Sequence, residues 1–75
     1  MATNPHEKVR VRLVRQLLRR IDEDPYPSVT MMDMVEGLLT SDEDEEYARI
    51  LMSKVDDEQY PSVSILGRLR ALATA

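Results

Sequence analysis

The sequence predicts an all-α protein of four short helices, and three observations lead to this prediction. Leu, Met, Arg and Glu, which favour helices, are plentiful in the chain of 75 residues. Aromatic residues, which favour strands, are limited to three Tyr, with no Phe and no Trp. The third observation is an internal repeat whose two copies are each predicted to form a helix–turn–helix unit. We expect one compact bundle and a single domain over residues 1–75.

A tetrapeptide occurs twice in the chain, as Tyr26-Pro27-Ser28-Val29 and as Tyr60-Pro61-Ser62-Val63. The copies are 34 residues apart (60 − 26 = 34), and the residues on both sides also match in character. An internal duplication accounts for such a match. The sequence therefore predicts two tandem αα-hairpin repeats, one over about residues 5–40 and one over about residues 41–75.

Caps and prolines define the first helix. Asn4 is its predicted N-cap, Pro5 occupies its first position, and Glu7 completes the capping pattern. Pro25 and Pro27 cannot continue a helix, so the helix is expected to end in the acidic stretch before them.

Short polar residues mark the starts of the next helices. Ser28 or Thr30 is the predicted cap of the second helix, and Ser41 with Asp44 has capping-box spacing for the third. In the repeated corner Pro fixes the chain entering the helix, Ser caps it, and Tyr is expected to cover the end of the core. The alternative is that Tyr26 and Tyr60 form a symmetric recognition site, since Tyr is enriched at interface anchors.

Apolar residues recur at helical spacing in each of the four segments, and equivalent positions of the two repeats are predicted to be buried together. The predicted buried residues are Val9, Leu13, Val14, Leu17, Leu18 and Ile21; Met31, Met32, Val35, Leu38 and Leu39; Tyr47, Ala48, Leu51, Met52 and Val55; and Ile65, Leu66, Leu69 and Leu72.

Charge is segregated along the chain, which has a net charge of −4. Residues 1–20 carry six bases and one acid, residues 21–46 carry ten acids and no base, and residues 47–75 carry four bases and three acids. The favoured interpretation is structural, because acids stabilise helix starts and bases stabilise helix ends. A basic helix facing the chain's own acidic segment is part of the same interpretation.

The functional interpretation concerns a basic stripe of four residues on the first helix, spaced four, three and four apart: Lys8, Arg12, Arg15 and Arg19. This spacing places them on one side of the helix. An acidic protein or nucleic-acid phosphate is the expected partner of such a stripe. Nucleic acid is the weaker choice because the sequence pI is about 4.8 and nucleic-acid-binding domains are usually basic.

Three apolar residues lack apolar counterparts in the other repeat. Val11 corresponds to Glu45, Met34 to Arg68, and Ile50 to Gln16. Because the equivalent position is polar, Val11, Met34 and Ile50 are the predicted partner-binding residues.

Several classes of function lack the residues they need. The chain has no Cys and a single His, so neither a zinc site nor nucleophilic cysteine catalysis is expected. A calcium loop beginning at Asp22 would place Pro27 where the loop requires glycine. The last helix places Ile65 and Leu66 where a DNA-reading helix carries base-contacting residues. We expect no enzymatic activity, no metal and no cofactor.

The sequence therefore predicts a small protein–protein interaction module, such as an adaptor, inhibitor or regulatory subunit, that self-associates as a homodimer. The alternative is a nucleic-acid-associated regulator that uses the basic first helix. The absence of cysteine and of a long apolar segment favours a soluble, cytoplasmic protein without a membrane-spanning helix. No small-molecule substrate is expected.

Overall fold

The structure is a computed structural model that describes residues 5–57 and 62–74. These residues form four α-helices and no strand, which confirms the predicted all-α class and number of helices. The helices are α1 (Pro5–Glu23), α2 (Val29–Glu36), α3 (Ser41–Asp57) and α4 (Val63–Thr74).

The chain divides into two compact units. The first unit, Met1–Leu39, contains α1 and α2, and the second unit, Thr40–Ala75, contains α3 and α4. Within each unit the two helices pack against each other. The division falls one residue before the predicted boundary between the repeats.

The core of the first unit comes from both of its helices. Val14, Leu17 and Ile21 of α1 and Met32 and Val35 of α2 are buried, as the sequence predicts. Successive buried residues of α1 are three and four positions apart, so they form a single stripe along the helix.

Two residues of α1 that were predicted to be buried, Val9 and Leu13, are exposed. The prediction was wrong because both lie on the flank of the buried stripe. With only eight residues, α2 is too short to cover a wide face of its neighbour.

The second unit buries a different set of positions from the one predicted. Tyr47, Leu51 and Ile65 are buried as predicted, but Ile50 and Lys54 are buried as well. Ala48 and Val55 are only partly buried.

Met52 and Leu66, which were predicted to lie in the second core, are exposed. The prediction that equivalent faces of the two repeats are buried is therefore wrong for the second unit. The reason is that α3 and α4 bury the face that lies one residue position before the face equivalent to the buried face of α1 and α2.

The serine of each repeated corner begins a helix. The Ser28 side-chain oxygen accepts a hydrogen bond from the Met31 backbone N–H at 3.3 Å, and Ser62 accepts from Ile65 at the same distance, 3.3 Å. Ser28 is thus the N-cap of α2, which resolves the choice between Ser28 and Thr30.

The other residues of the corner differ in their surroundings. Pro27 is buried, whereas Tyr26 is 80% exposed. The expectation that Tyr26 covers the end of the core is therefore wrong: its backbone N–H is held by the Asp24 Oδ1 atom at 2.9 Å, and its ring lies outside. Tyr60 and Pro61 are outside the described residues.

The third helix has its cap one residue earlier than predicted. The Glu43 Oε1 atom accepts from the Thr40 backbone N–H at 2.9 Å and from its hydroxyl at 3.0 Å. Glu43 therefore makes the carboxylate half of a capping box towards Thr40, one residue earlier than the predicted pair of Ser41 and Asp44. For the first helix, the described residues begin at Pro5, which is already helical, and the predicted cap Asn4 is outside them.

Candidate interaction surface

The basic stripe lies on the outward side of α1. Lys8, Arg12, Arg15 and Arg19 are all exposed. At 3.6 residues per turn, the stripe is centred about 150° around the helix from the buried stripe. Four positive charges thus follow one side of α1 over roughly 16 Å, at 1.5 Å per residue.

Within residues 5–57 and 62–74, the structure shows no ion pair for any member of the stripe. The nearest to an exception is Arg19, whose Nη2 atom donates to the neutral side chain of Gln16 at 3.4 Å. No acidic side chain in the described part of the chain neutralises the four charges, so an external anion can bind them.

Arg10, on the same helix, has a different environment. Its Nη1 atom donates to the backbone carbonyl of Leu38, in the turn that follows α2, at 3.0 Å. Glu7 holds the same guanidinium, with Oε1 at 2.7 Å from Nη2. Arg10 therefore stabilises the packing of the first unit. It does not belong to the basic stripe, in agreement with the sequence prediction.

The start of α3 is acidic over its first two turns. Asp42 and Glu45 are exposed, and negative charge there stabilises the helix through its dipole. Glu46 pairs with Arg49, with Oε1 and Nη2 2.6 Å apart. This hydrogen bond, together with the positive charge of Arg49, lowers the pKa of Glu46 below its ordinary value of 4.5.

The three predicted apolar contact residues have three different environments. Met34 is 49% exposed on α2, and Val11 is partly buried on α1. Ile50 is only 3% exposed, so its assignment as a surface residue is wrong. Its polar counterpart, Gln16, is outside because the two units turn different faces inward.

Sequence reasoning missed the exposed valines that follow the repeated serines. Val29 is 54% exposed and Val63 is 83% exposed, and each begins its helix. The sequence contained a signal for them, because the valine belongs to the tetrapeptide Tyr-Pro-Ser-Val that is identical in both repeats. Only the tyrosines of that tetrapeptide were predicted to make contacts.

Other kinds of site lack support in the described residues. No group of three or more His, Asp or Glu side chains is arranged to hold a metal ion in residues 5–57 and 62–74. None of the helices described there combines the length and the apolar character needed to cross a bilayer.

The fold and the surface define a class only: an all-α chain of two helix pairs with a charged outer helix face. Comparison of the chain with protein-family models, with curated proteins and with solved structures found no match.

Proposed function

We propose that the chain is a non-enzymatic protein–protein interaction module that self-associates, and that the basic stripe of one copy binds the acidic start of α3 in a second copy. We use the term acidic start for two exposed residues in the first turns of α3, Asp42 and Glu45. The observation that carries the proposal is the exposure of all four basic side chains on one side of α1, opposite its buried stripe. The proposal includes no cofactor and no catalytic step.

Charge complementarity supports a second copy as the partner. Residues 1–20 carry a net charge of +5 and residues 21–46 carry −10, from six bases against one acid and from ten acids. A second copy therefore offers an acidic surface to the stripe. Opposite charges on facing surfaces steer association and fix its register.

The magnitude of each contact sets the expected strength. A solvent-exposed ion pair contributes about 0.2–1 kcal/mol, so a few pairs alone support weak binding. Exposed apolar residues such as Met34 add contact area. We therefore expect a dimer in the micromolar range or weaker, whose affinity falls as salt shortens the screening length to a few ångströms.

The test is sedimentation of the full chain at several protein and salt concentrations. We expect an apparent mass that rises from 8.6 kDa towards twice that value at low salt and returns as salt increases. Arg12→Glu with Arg15→Glu is expected to remove the association. The matched control is Arg20→Glu with Arg70→Glu, at two exposed arginines outside the stripe. Both double variants change the net charge of the chain from −4 to −8.

A charge-swap experiment identifies the partner surface. Asp42→Lys with Glu45→Lys is also expected to remove self-association, because the stripe then faces lysines. Mixing this variant with the Arg12→Glu, Arg15→Glu variant restores opposite charges at every such contact and is expected to yield a heterodimer. A mixture that remains monomeric, or a wild-type chain that stays monomeric at low salt, contradicts the proposal.

The exposed basic stripe also favours a second candidate, an anion-binding contact with nucleic acid. This candidate predicts that labelled DNA or RNA binds at low salt and that the affinity falls steeply as salt rises. The chain's net charge of −4 opposes such binding, and we therefore place it second. We propose a cytoplasmic location on the basis of the cysteine-free composition.

A further inference from the structure

The buried positions of the two units match at a spacing that differs from the sequence repeat. In the first unit the buried residues are Val14, Leu17, Ile21, Met32 and Val35. Adding 33 to the first four numbers gives Tyr47, Ile50, Lys54 and Ile65, all of which are buried. The fifth, Val35, corresponds in this way to Arg68, which is partly buried. The sequence repeat, by contrast, has a spacing of 34 (60 − 26 = 34).

The starts of the second helix of each unit follow the sequence repeat and not the burial pattern. α2 begins at Val29 and α4 at Val63, which are 34 apart (63 − 29 = 34). The capping serines agree with this spacing. Each helix of the second unit is therefore turned by one residue, about 100° at 3.6 residues per turn, relative to its repeat partner.

This rotation has a visible consequence in the second core. Lys54 is 8% exposed and is the one charged residue among the buried residues of the described chain. At the same time Leu66 is 41% exposed and Met52 is 49% exposed.

The second unit carries another complete apolar face. Adding 34 to the buried residues of the first unit gives Ala48, Leu51, Val55, Leu66 and Leu69, all of them apolar. Leu51 is already buried, and Ala48, Val55 and Leu69 are partly buried. A rotation by one residue would complete this set and move Lys54 towards solvent.

We propose that the second unit has two packings: the observed one, and a repeat-register packing in which α3 and α4 have each rotated by one residue. The hydrogen bonds within a helix and the Ser62 cap do not depend on which face points inward, so the rotation preserves both. The repeat-register packing presents Ile50 and Tyr47 to solvent, as Gln16 and Leu13 are presented in the first unit. The unit thereby conceals an apolar surface that a conformational change releases.

The main test is Ile50→Glu, which places a carboxylate in the observed core but on the surface of the repeat-register packing. We expect this variant to retain the helicity of the second unit. A soluble paramagnetic probe is expected to relax the Leu66 methyl groups less, and the Ile65 methyl group more, than in the wild type. The matched control is Leu17→Glu, which is expected to unfold the first unit because that unit has no second apolar face.

The wild-type chain provides an independent measurement, because its three isoleucines are Ile21, Ile50 and Ile65. Methyl relaxation dispersion is expected to show one shared exchange process at Ile50 and Ile65 and none at Ile21. Leu66→Glu, at an exposed position of the observed packing, is expected to abolish that exchange, and this result supports the proposal even where Ile50→Glu does not fold. Unfolding of the second unit by Ile50→Glu without such exchange in the wild type overturns it, as does an Ile50→Glu variant that keeps Leu66 exposed.

Discussion

Replacing Arg10 by methionine is expected to destabilise the first unit, whereas the same change at Arg15 is not. Methionine keeps the unbranched apolar stem and removes the donors, so the variant loses the 3.0 Å hydrogen bond to the Leu38 carbonyl and the ion pair with Glu7. The Glu7 pair lies within one exposed helix turn and contributes about 0.2–1 kcal/mol at most, so the Leu38 bond is expected to be the larger loss. Hydrogen bonds to charged groups contribute about 1.5–3 kcal/mol. The Arg10 side chain is 20% exposed, so water competes and the lower end, about 1.5 kcal/mol, applies. Arg15 is exposed, and its change is expected to stay within about 0.5 kcal/mol.

Native-state hydrogen exchange measures this difference within the intact chain. The protected amides of Val14 and Leu17 report opening of the first unit, and a loss of about 1.4 kcal/mol raises their exchange rate about tenfold. Amides of α3 serve as the internal control and are expected to be unchanged. Equal acceleration in the Arg10→Met and Arg15→Met variants would show that the Leu38 contact contributes nothing, and the distinction between Arg10 and the basic stripe would be lost.

The remaining predictions concern the caps, the core and the pH dependence. Thr40→Ala is expected to lower the unfolding free energy by about 1 kcal/mol in urea denaturation, and Ser41→Ala to leave it nearly unchanged; the reverse order would restore the capping box predicted from sequence. Ile21→Ala, at a fully buried position, is expected to cost about 2–5 kcal/mol, and a smaller loss would show a loosely packed first core. Because the folded pKa of Glu46 is lowered, its pair with Arg49 stabilises the fold above pH 4.5 and this contribution is lost as the pH falls through the lowered pKa. A carboxyl NMR titration is expected to show the low value and its return in Arg49→Gln, and an unchanged titration in that variant would rule out the pair as the cause.

The helix ends were predictable because the signals that set them are local. A proline cannot continue a helix, and a serine caps the residues that follow it, wherever the segment lies in the protein. The sequence therefore predicted a helix start at one of two neighbouring hydroxyl residues, Ser28 or Thr30, and Ser28 is the cap of α2. The shift of the third cap from Ser41 to Thr40 is an error of one residue between adjacent hydroxyl side chains, which local chemistry does not separate.

The buried faces were less predictable because they depend on the partner helix. In α3, apolar residues occur at both Ile50 and Leu51 and at both Met52 and Val55, so that more than one side of the helix offers an apolar stripe. Helical periodicity identifies such stripes but does not rank them. Aligning α3 with α1 through the sequence repeat selected the wrong apolar stripe as the buried one. Which stripe is buried depends on the packing of α3 against α4.

The basic stripe was predictable for the opposite reason. Lys8, Arg12, Arg15 and Arg19 share one side of α1 in any packing that buries Val14, and long charged side chains are rarely buried. Their exposure follows from helix geometry together with one correct buried residue. What the sequence did not show was the role of Arg10, which depends on a carbonyl that is 28 residues away.

The identity of the repeated corner calls for more than a folding explanation. Pro27 is buried, and Ser28 and Ser62 cap their helices, so these residues are retained by the local fold. No comparable explanation covers Val29 and Val63, which are exposed at equivalent positions while the faces of the helices they begin have diverged. Two identical exposed side chains on units with different cores agree with the proposed self-association, in which a second copy of this chain offers two equivalent corners.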